Sequence, residues 1–159
     1  MAEVKAAAER LIDAPAATVY ACIADFREHH PRILPPAFSN FRVEEGGIGA
    51  GTVISYTLKA GGRTRSGRAR VDEPEPGQVL TETDTQSSLV TTFTVTPQGQ
   101  QSSVRIATRW TGAGGIGGFF ERTFAPRVLR RLYADELARL DECARDFERS
   151  SRPTGDVEA

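Results

Sequence analysis

The side chains able to do chemistry are few. The chain has two histidines, adjacent at His29 and His30. An imidazole titrating near neutrality can serve as a base, but a histidine beside Pro31 in a loop can equally point to water. Glu82 and Asp84 share a face with Leu80, because they alternate with Thr81 and Thr83. With Leu80 inward, Glu82 can pair with a cation or move a proton. With Val79, Thr81 and Thr83 inward instead, both acids are solvated. The first register is the one expected. Arg65 shares a face with Ala69 and Val71, yet its guanidinium cannot be neutralised and is costly to bury alone. Either it points to water from a strand end, or it anchors a carboxylate or phenolate, with Glu82 the acid expected to reach it.

Other chemistries find less support. The two cysteines, Cys22 and Cys143, fall on apolar helix faces, where a free thiol behaves as a small hydrophobe. With no histidine expected beside them, they read as buried and reduced rather than as a zinc site. No Ser-His-Asp or Cys-His arrangement stands out. The stretch from Gly112 to Phe120 is glycine-rich but lacks the Lys-Ser or Lys-Thr ending of a phosphate loop. It reads as a joint between sheet and helix.

The element that must position these groups is the stretch from Phe119 to Glu148. Phe120, Phe124, Leu129, Leu132, Tyr133, Leu137, Leu140, Cys143, Ala144 and Phe147 recur at steps of three and four, one stripe of an α-helix. Asp135 precedes Arg139, and Asp141 precedes Arg145, by four residues on the charged face. Such a helix would run about 45 Å and must lie against something as long. Pro126 should either bend it or begin its main body.

Before it, the chain reads as β structure with one helical interruption. Val4 to Ile12 is expected to be a strand. Asp13-Ala14-Pro15 looks like a helix start, with a capping carboxylate and then proline, and Val19, Cys22, Ile23 and Phe26 continue a helix to about Arg27. A short turn and a loop fill residues 28–37, since Pro35-Pro36 bars a longer helix. From Phe38 the period becomes two. Six successive β segments separated by Gly- and Pro-rich turns imply an antiparallel meander. Glu73 to Gly77 is expected to be one of those turns.

The totals agree with one domain over residues 1–149 and a polar tail at 150–159, expected to be mobile. With 159 residues and a formal net charge of −1, nothing favours nucleic acid. No apolar run approaches a membrane span, and no signal peptide is visible, so a cytoplasmic location is expected. Oligomeric state is left open.

Ile12-Asp13-Ala14-Pro15 with Val19-Tyr20, then Asp25-Phe26, His30-Pro31, Gly49-Ala50-Gly51, the Glu73-Pro74 turn and Phe124-Ala125-Pro126-Arg127 together resemble the START-like (SRPBCC) superfamily, in its bacterial polyketide cyclase/dehydrase branch. The resemblance covers about residues 3–148. It implies an α+β helix-grip fold: a curved antiparallel sheet of about seven strands around a long C-terminal helix, with two short helices after the first strand. It also implies a cavity under the first half of that helix. Tyr56, Arg65, Glu82, Thr91, Phe93, Thr108, Trp110, Phe120, Phe124 and Tyr133 are the residues expected to face it. The function so implied is binding of a small hydrophobic, lipid-like or polyketide-like molecule without a cofactor; the alternative is a cyclase or dehydratase using the same cavity. Some superfamily members are oxygenases with a His/carboxylate iron site. That set is not recognisable here, and no metal is expected.

Overall fold

The computed structural model describes residues 3–111 and 125–151. Strand β1 (Glu3–Ile12) leads into helices α1 (Ala16–Ala24) and α2 (His30–Ile33). Six strands follow: β2 (Phe38–Glu45), β3 (Val53–Ala60), β4 (Arg63–Glu75), β5 (Val79–Asp84), β6 (Val90–Gln98) and β7 (Gln101–Thr111). Helix α3 (Ala125–Ser151) closes the order. The strands form one antiparallel sheet ordered β1-β7-β6-β5-β4-β3-β2. This is the meander expected, with β1 added beside β7. The architecture is the helix-grip fold.

Alternation decides which face of each strand is covered. On β6, Thr91, Phe93 and Val95 are buried, and on β7 Val104, Ile106, Thr108 and Trp110 are. On β5, Leu80 and Asp84 are buried, so the Leu80 face is inward. The α3 stripe of Leu129, Leu132, Tyr133, Leu137, Leu140, Cys143 and Ala144 is buried against this surface, where apolar area leaves water at roughly 25 cal/mol per Å².

Several local expectations are corrected. Asp13 does not cap α1: Pro15 stands at the N-cap with no side-chain hydrogen bond, and the Asp13 amide donates to Asp141 Oδ1 at 3.3 Å. The α3 carboxylate thus takes the donor and also ion-pairs with Arg10 at 3.1 Å. Helix α1 ends at Ala24 rather than Arg27, because the chain turns for the Phe26 amide to donate to the Gly47 carbonyl. Glu73-Pro74 is not a turn. Strand β4 runs through it to Glu75, and a register shift between Asp72 and Glu75 accommodates the proline. Pro126 is the second residue of α3 as described, a position where its missing N–H costs little. The glycine-rich joint and the first residues of the expected helix, Phe119 to Phe124, lie outside the described residues, as does the tail beyond Ser151. Helix α3 itself continues through Ser150 and Ser151.

The corner holding the short helices against the sheet is tied by one acid. Glu73 accepts hydrogen bonds from the Tyr20 hydroxyl at 2.6 Å and from the Ala50 amide at 2.7 Å. Gly49 lets this carboxylate approach, since a Cβ there would stand 2.1 Å from Glu73 Oε1.

Candidate functional site

Between the sheet and the first half of α3 lies a cavity of about 50 Å³. Its apolar wall includes Phe38, Phe41, Ile54 and Leu58 from β2 and β3, Phe93 from β6, and Leu129 and Leu132 from α3. Into this surface project His30, Tyr56, Arg65, Glu82, Thr91, Tyr133 and Glu136.

Register explains how the sheet delivers them. Tyr56 on β3 is paired across from Gly67 on β4. A Cβ at position 67 would lie 2.4 Å from Tyr56 Cζ, so the tyrosine ring lies over β4 only because that residue is glycine. Burial pushes the Tyr56 phenol up, with the nearby Glu82 charge adding to the shift. Thr91 and Thr108 are cross-strand partners whose hydroxyls hydrogen-bond at 2.8 Å, and Thr108 in turn hydrogen-bonds the Tyr133 hydroxyl. That chain fixes the Tyr133 phenol at the cavity wall. Burial raises its pKa against the opposing effect of the Thr108 hydrogen bond.

The acids are the unusual part. Glu82 is opposite Val71 on β4 and Thr91 on β6, in the middle of the inward face. Burial raises its carboxyl from the ordinary 4.5 to about 7. Its Oε1 has no hydrogen-bond partner among the described residues and lies 3.5 Å from His30 Nε2. Glu136, buried on α3, is raised well above the usual range by desolvation first and by the Glu82 charge second. Two carboxyls therefore enter one largely apolar space, and the charge of Glu82 disfavours ionisation of Glu136. This is an arrangement suited to holding and moving a proton.

His30 is not the exposed loop residue that a His-Pro pair allows. It is 1% exposed, stacked on Phe26 with ring centroids 4.2 Å apart, and its Nδ1 is 2.7 Å from the Ile23 carbonyl. That bond marks Nδ1 as the protonated nitrogen and leaves Nε2 facing Glu82. Burial lowers its pKa to about 4, against the raising effect of the Ile23 bond.

Arg65 is inward but does not reach Glu82. Its partner is Asp84, at 3.0 Å. Glu82 is paired across from Val71, deep in the sheet, whereas Asp84 is paired across from Ala69, nearer to Arg65 along β4. Asp84 also accepts from Ser87 Oγ at 2.5 Å and from the Gln86 amide at 3.2 Å, so the pair is locked from the loop side.

Of the residues expected to face the cavity, the structure brings together Tyr56, Arg65, Glu82, Thr91, Phe93 and Tyr133. Thr108 stands behind the wall as a hydrogen-bond relay. Trp110 is buried farther along β7, opposite Val4 of β1, and is not among the lining residues. Phe120 and Phe124 lie outside the described residues. Glu136 was missed, although its spacing shows it: it lies three, four and seven residues after Tyr133, Leu132 and Leu129, a charge on the apolar stripe. The burial of His30 left no local sign.

No functionally curated protein matches the sequence. Among solved structures, the KanY protein, determined by NMR in solution, is 43% identical over 91% of this chain and 99% of its own, with a TM-score of 0.79. Two more distant structures share the fold. The Zhui aromatase/cyclase from Streptomyces sp. R1128 is 18% identical over 98% of this chain and 100% of its own, with a TM-score of 0.63. A point mutant of Thalictrum flavum norcoclaurine synthase, in complex with a transition-state analogue, is 15% identical over 92% of this chain and 97% of its own, with a TM-score of 0.70. The family described as polyketide cyclase/dehydrase and lipid transport matches residues 3–145. With nearly the whole described fold inside that match, the chain belongs to the polyketide cyclase/dehydrase and lipid transport family.

Proposed function

We propose that the protein binds a small hydrophobic molecule, lipid-like or polyketide-like, that carries a carbonyl or hydroxyl group, in the cavity between the sheet and α3. The observation that carries this reading is the convergence of Tyr56, Glu82, Tyr133 and Glu136 on one apolar space, the pattern of a pocket that takes an apolar body and orients it by a few polar groups. At about 50 Å³ the cavity holds only a few waters, whereas benzene fits an engineered cavity of roughly 150 Å³. Ligand entry on this reading therefore spreads the wall. Native mass spectrometry of freshly purified protein tests it, since a retained ligand shows its mass. Wild-type protein should carry an adduct or bind a neutral naphthyl fluorophore, and Phe93→Trp, which fills the cavity, should do neither. No adduct and no fluorophore binding by the wild type would remove the reading.

A second reading has a specific observation in its favour: Glu136, buried, and Glu82, with its side chain 16% exposed, both line the cavity with raised pKa. A carboxylate so placed can take a proton from carbon next to a carbonyl, and a protonated carboxyl can give one to a departing hydroxyl, which leaves as water. That is the chemistry of a cyclase or dehydratase acting on a polyketide-like substrate. On this reading Glu82→Gln and Glu136→Gln bind the adduct as the wild type does but no longer convert it. Conversion by both variants at the wild-type rate would leave binding alone.

A further inference from the structure

Apart from the residues that line the cavity, the fold gathers three metal-ligating side chains that the sequence keeps far apart. Cys22 comes from α1, His29 from the residue before α2, and Cys143 from α3. The two sulfurs and one imidazole nitrogen all lie within 4.8 Å of one another. This corrects the expectation that no histidine stands beside the cysteines. Both thiols are free and buried. A second observation points to a ligand here: His29 Nδ1 is buried and has no hydrogen-bond partner among the described residues.

We propose that Cys22, His29 and Cys143 form a three-ligand site for a thiophilic d10 cation, with Zn²⁺ the natural occupant. Two thiolates and an imidazole are the donor set zinc prefers, and three protein ligands leave one position for water or another small ligand. Tetrahedral zinc holds two thiolate sulfurs about 3.8 Å apart, given Zn–S bonds of about 2.3 Å. The donor atoms already lie within 4.8 Å of one another, so an ion has only to draw them slightly closer. Charge agrees as well. Two thiolates balance a divalent ion, and Arg32 is held by Asp146 at 3.3 Å. His29 is half-buried, which gives an ion a way in. Its ring rests edge-on against Phe147 at 5.2 Å, so its orientation is partly set in advance.

Asp25 and Glu28 also approach His29 within 4.8 Å, but they are oxygen donors. Asp25 Oδ1 already accepts from the Arg27 and Glu28 amides at 3.0 and 3.1 Å. The sulfur side is the better home for a soft cation. A metal there would staple α1, the entry to α2 and α3 to one another, one residue from the cavity-lining His30.

The test uses untagged full-length protein, reduced, stripped with chelator and titrated with Co²⁺ as the spectroscopic probe and then Zn²⁺. The expected result is one Co²⁺ per chain with a thiolate-to-metal charge-transfer band, displaced by Zn²⁺. Cys143→Ser should abolish the band. His29→Gln, at a half-exposed position where the fold should survive, should weaken affinity by at least the roughly 10–100-fold that loss of even an outer-shell partner costs. Circular dichroism checks that both variants are folded. Binding without a charge-transfer band would assign the metal to carboxylates and overturn the proposal. So would unchanged affinity in His29→Gln, or reduced wild-type protein that takes up no metal and only forms a Cys22–Cys143 disulfide on oxidation.

Discussion

Replacing Glu82 by glutamine should make the protein more stable, and increasingly so as pH rises. The folded-state pKa of Glu82 is raised from 4.5 to about 7 by burial. The folded protein therefore keeps a proton that the unfolded chain releases above about 4.5. Stability from that proton is complete below the unfolded pKa and is lost as pH climbs to about 7. At about 1.4 kcal/mol per pKa unit, the loss amounts to ~3 kcal/mol. Glutamine is neutral throughout and escapes it. The groups facing Glu82 are His30 from α2, Tyr56 from β3, Arg65 with its Asp84, and Tyr133 and Glu136 from α3. His30 acts in the opposite sense: its pKa is lowered to about 4, so it contributes stability that is gained as pH rises from there to about 6.5. The two effects offset one another in the wild-type curve, and the difference between variant and wild type isolates Glu82. Urea unfolding of both proteins at several pH values from 4.5 to 8 gives that difference. It should grow by ~3 kcal/mol across the range, or roughly 6–12 °C in melting temperature for a domain of this size. A difference that stays flat with pH would show that Glu82 is ionised and solvated throughout, and the dry proton-holding cavity would be lost with it.

Arg65→Met should cost ~3–5 kcal/mol in urea unfolding, because it strands the buried Asp84 carboxylate. Arg65→Met/Asp84→Leu should recover most of that, and a double variant no better than the single would contradict the pairing. Leu140→Ala should cost ~2–5 kcal/mol, since Leu140 is fully buried below the cavity, whereas Tyr133→Ala should lower ligand affinity more than stability; equal stability losses with affinity intact in both would contradict a cavity under the first half of α3. Gly67→Ala should lower stability by ~1–3 kcal/mol and shift Tyr56, an effect that Tyr56→Ala in the same chain should relieve.

The sheet was readable because its constraint is local. Ile54, Tyr56 and Leu58, or Val104, Ile106 and Thr108, alternate within a single strand, and burial of one face follows from period two alone. Helix α3 was readable for the same reason at its own period. The cavity residues on those elements came with the faces. What failed needed distances between elements. Arg65 was matched to Glu82 because both face inward, but the β4–β5 register puts Asp84 nearer. His30 is buried because α2 docks on α3 and its ring stacks on Phe26, and nothing in His-Pro announces it. His29 meets Cys22 and Cys143 only after α1 and α3 have docked. Glu136 was the one avoidable omission, since its place on the apolar stripe is written in its spacing.

The position of β1 in the sheet governs how this chain can come to be folded. It precedes the other described strands in the chain, yet among the described residues its one strand neighbour is β7, with Glu3 across from Thr111 and Ile12 across from Ser102. Its other ties reach further still, from Arg10 and the Asp13 amide to Asp141. During synthesis β2 to β6 can zip in sequence as each emerges, while the N-terminal segment waits without a partner for most of the chain. Closing so long a loop makes folding slow relative to a local meander. Until then Val4, Ala6 and Ile12 stay in water, and the vacant edge of β7 is open to whatever strand arrives first. A nascent chain of this fold is therefore most exposed to mispairing in the interval between the completion of β7 and the return of its own β1.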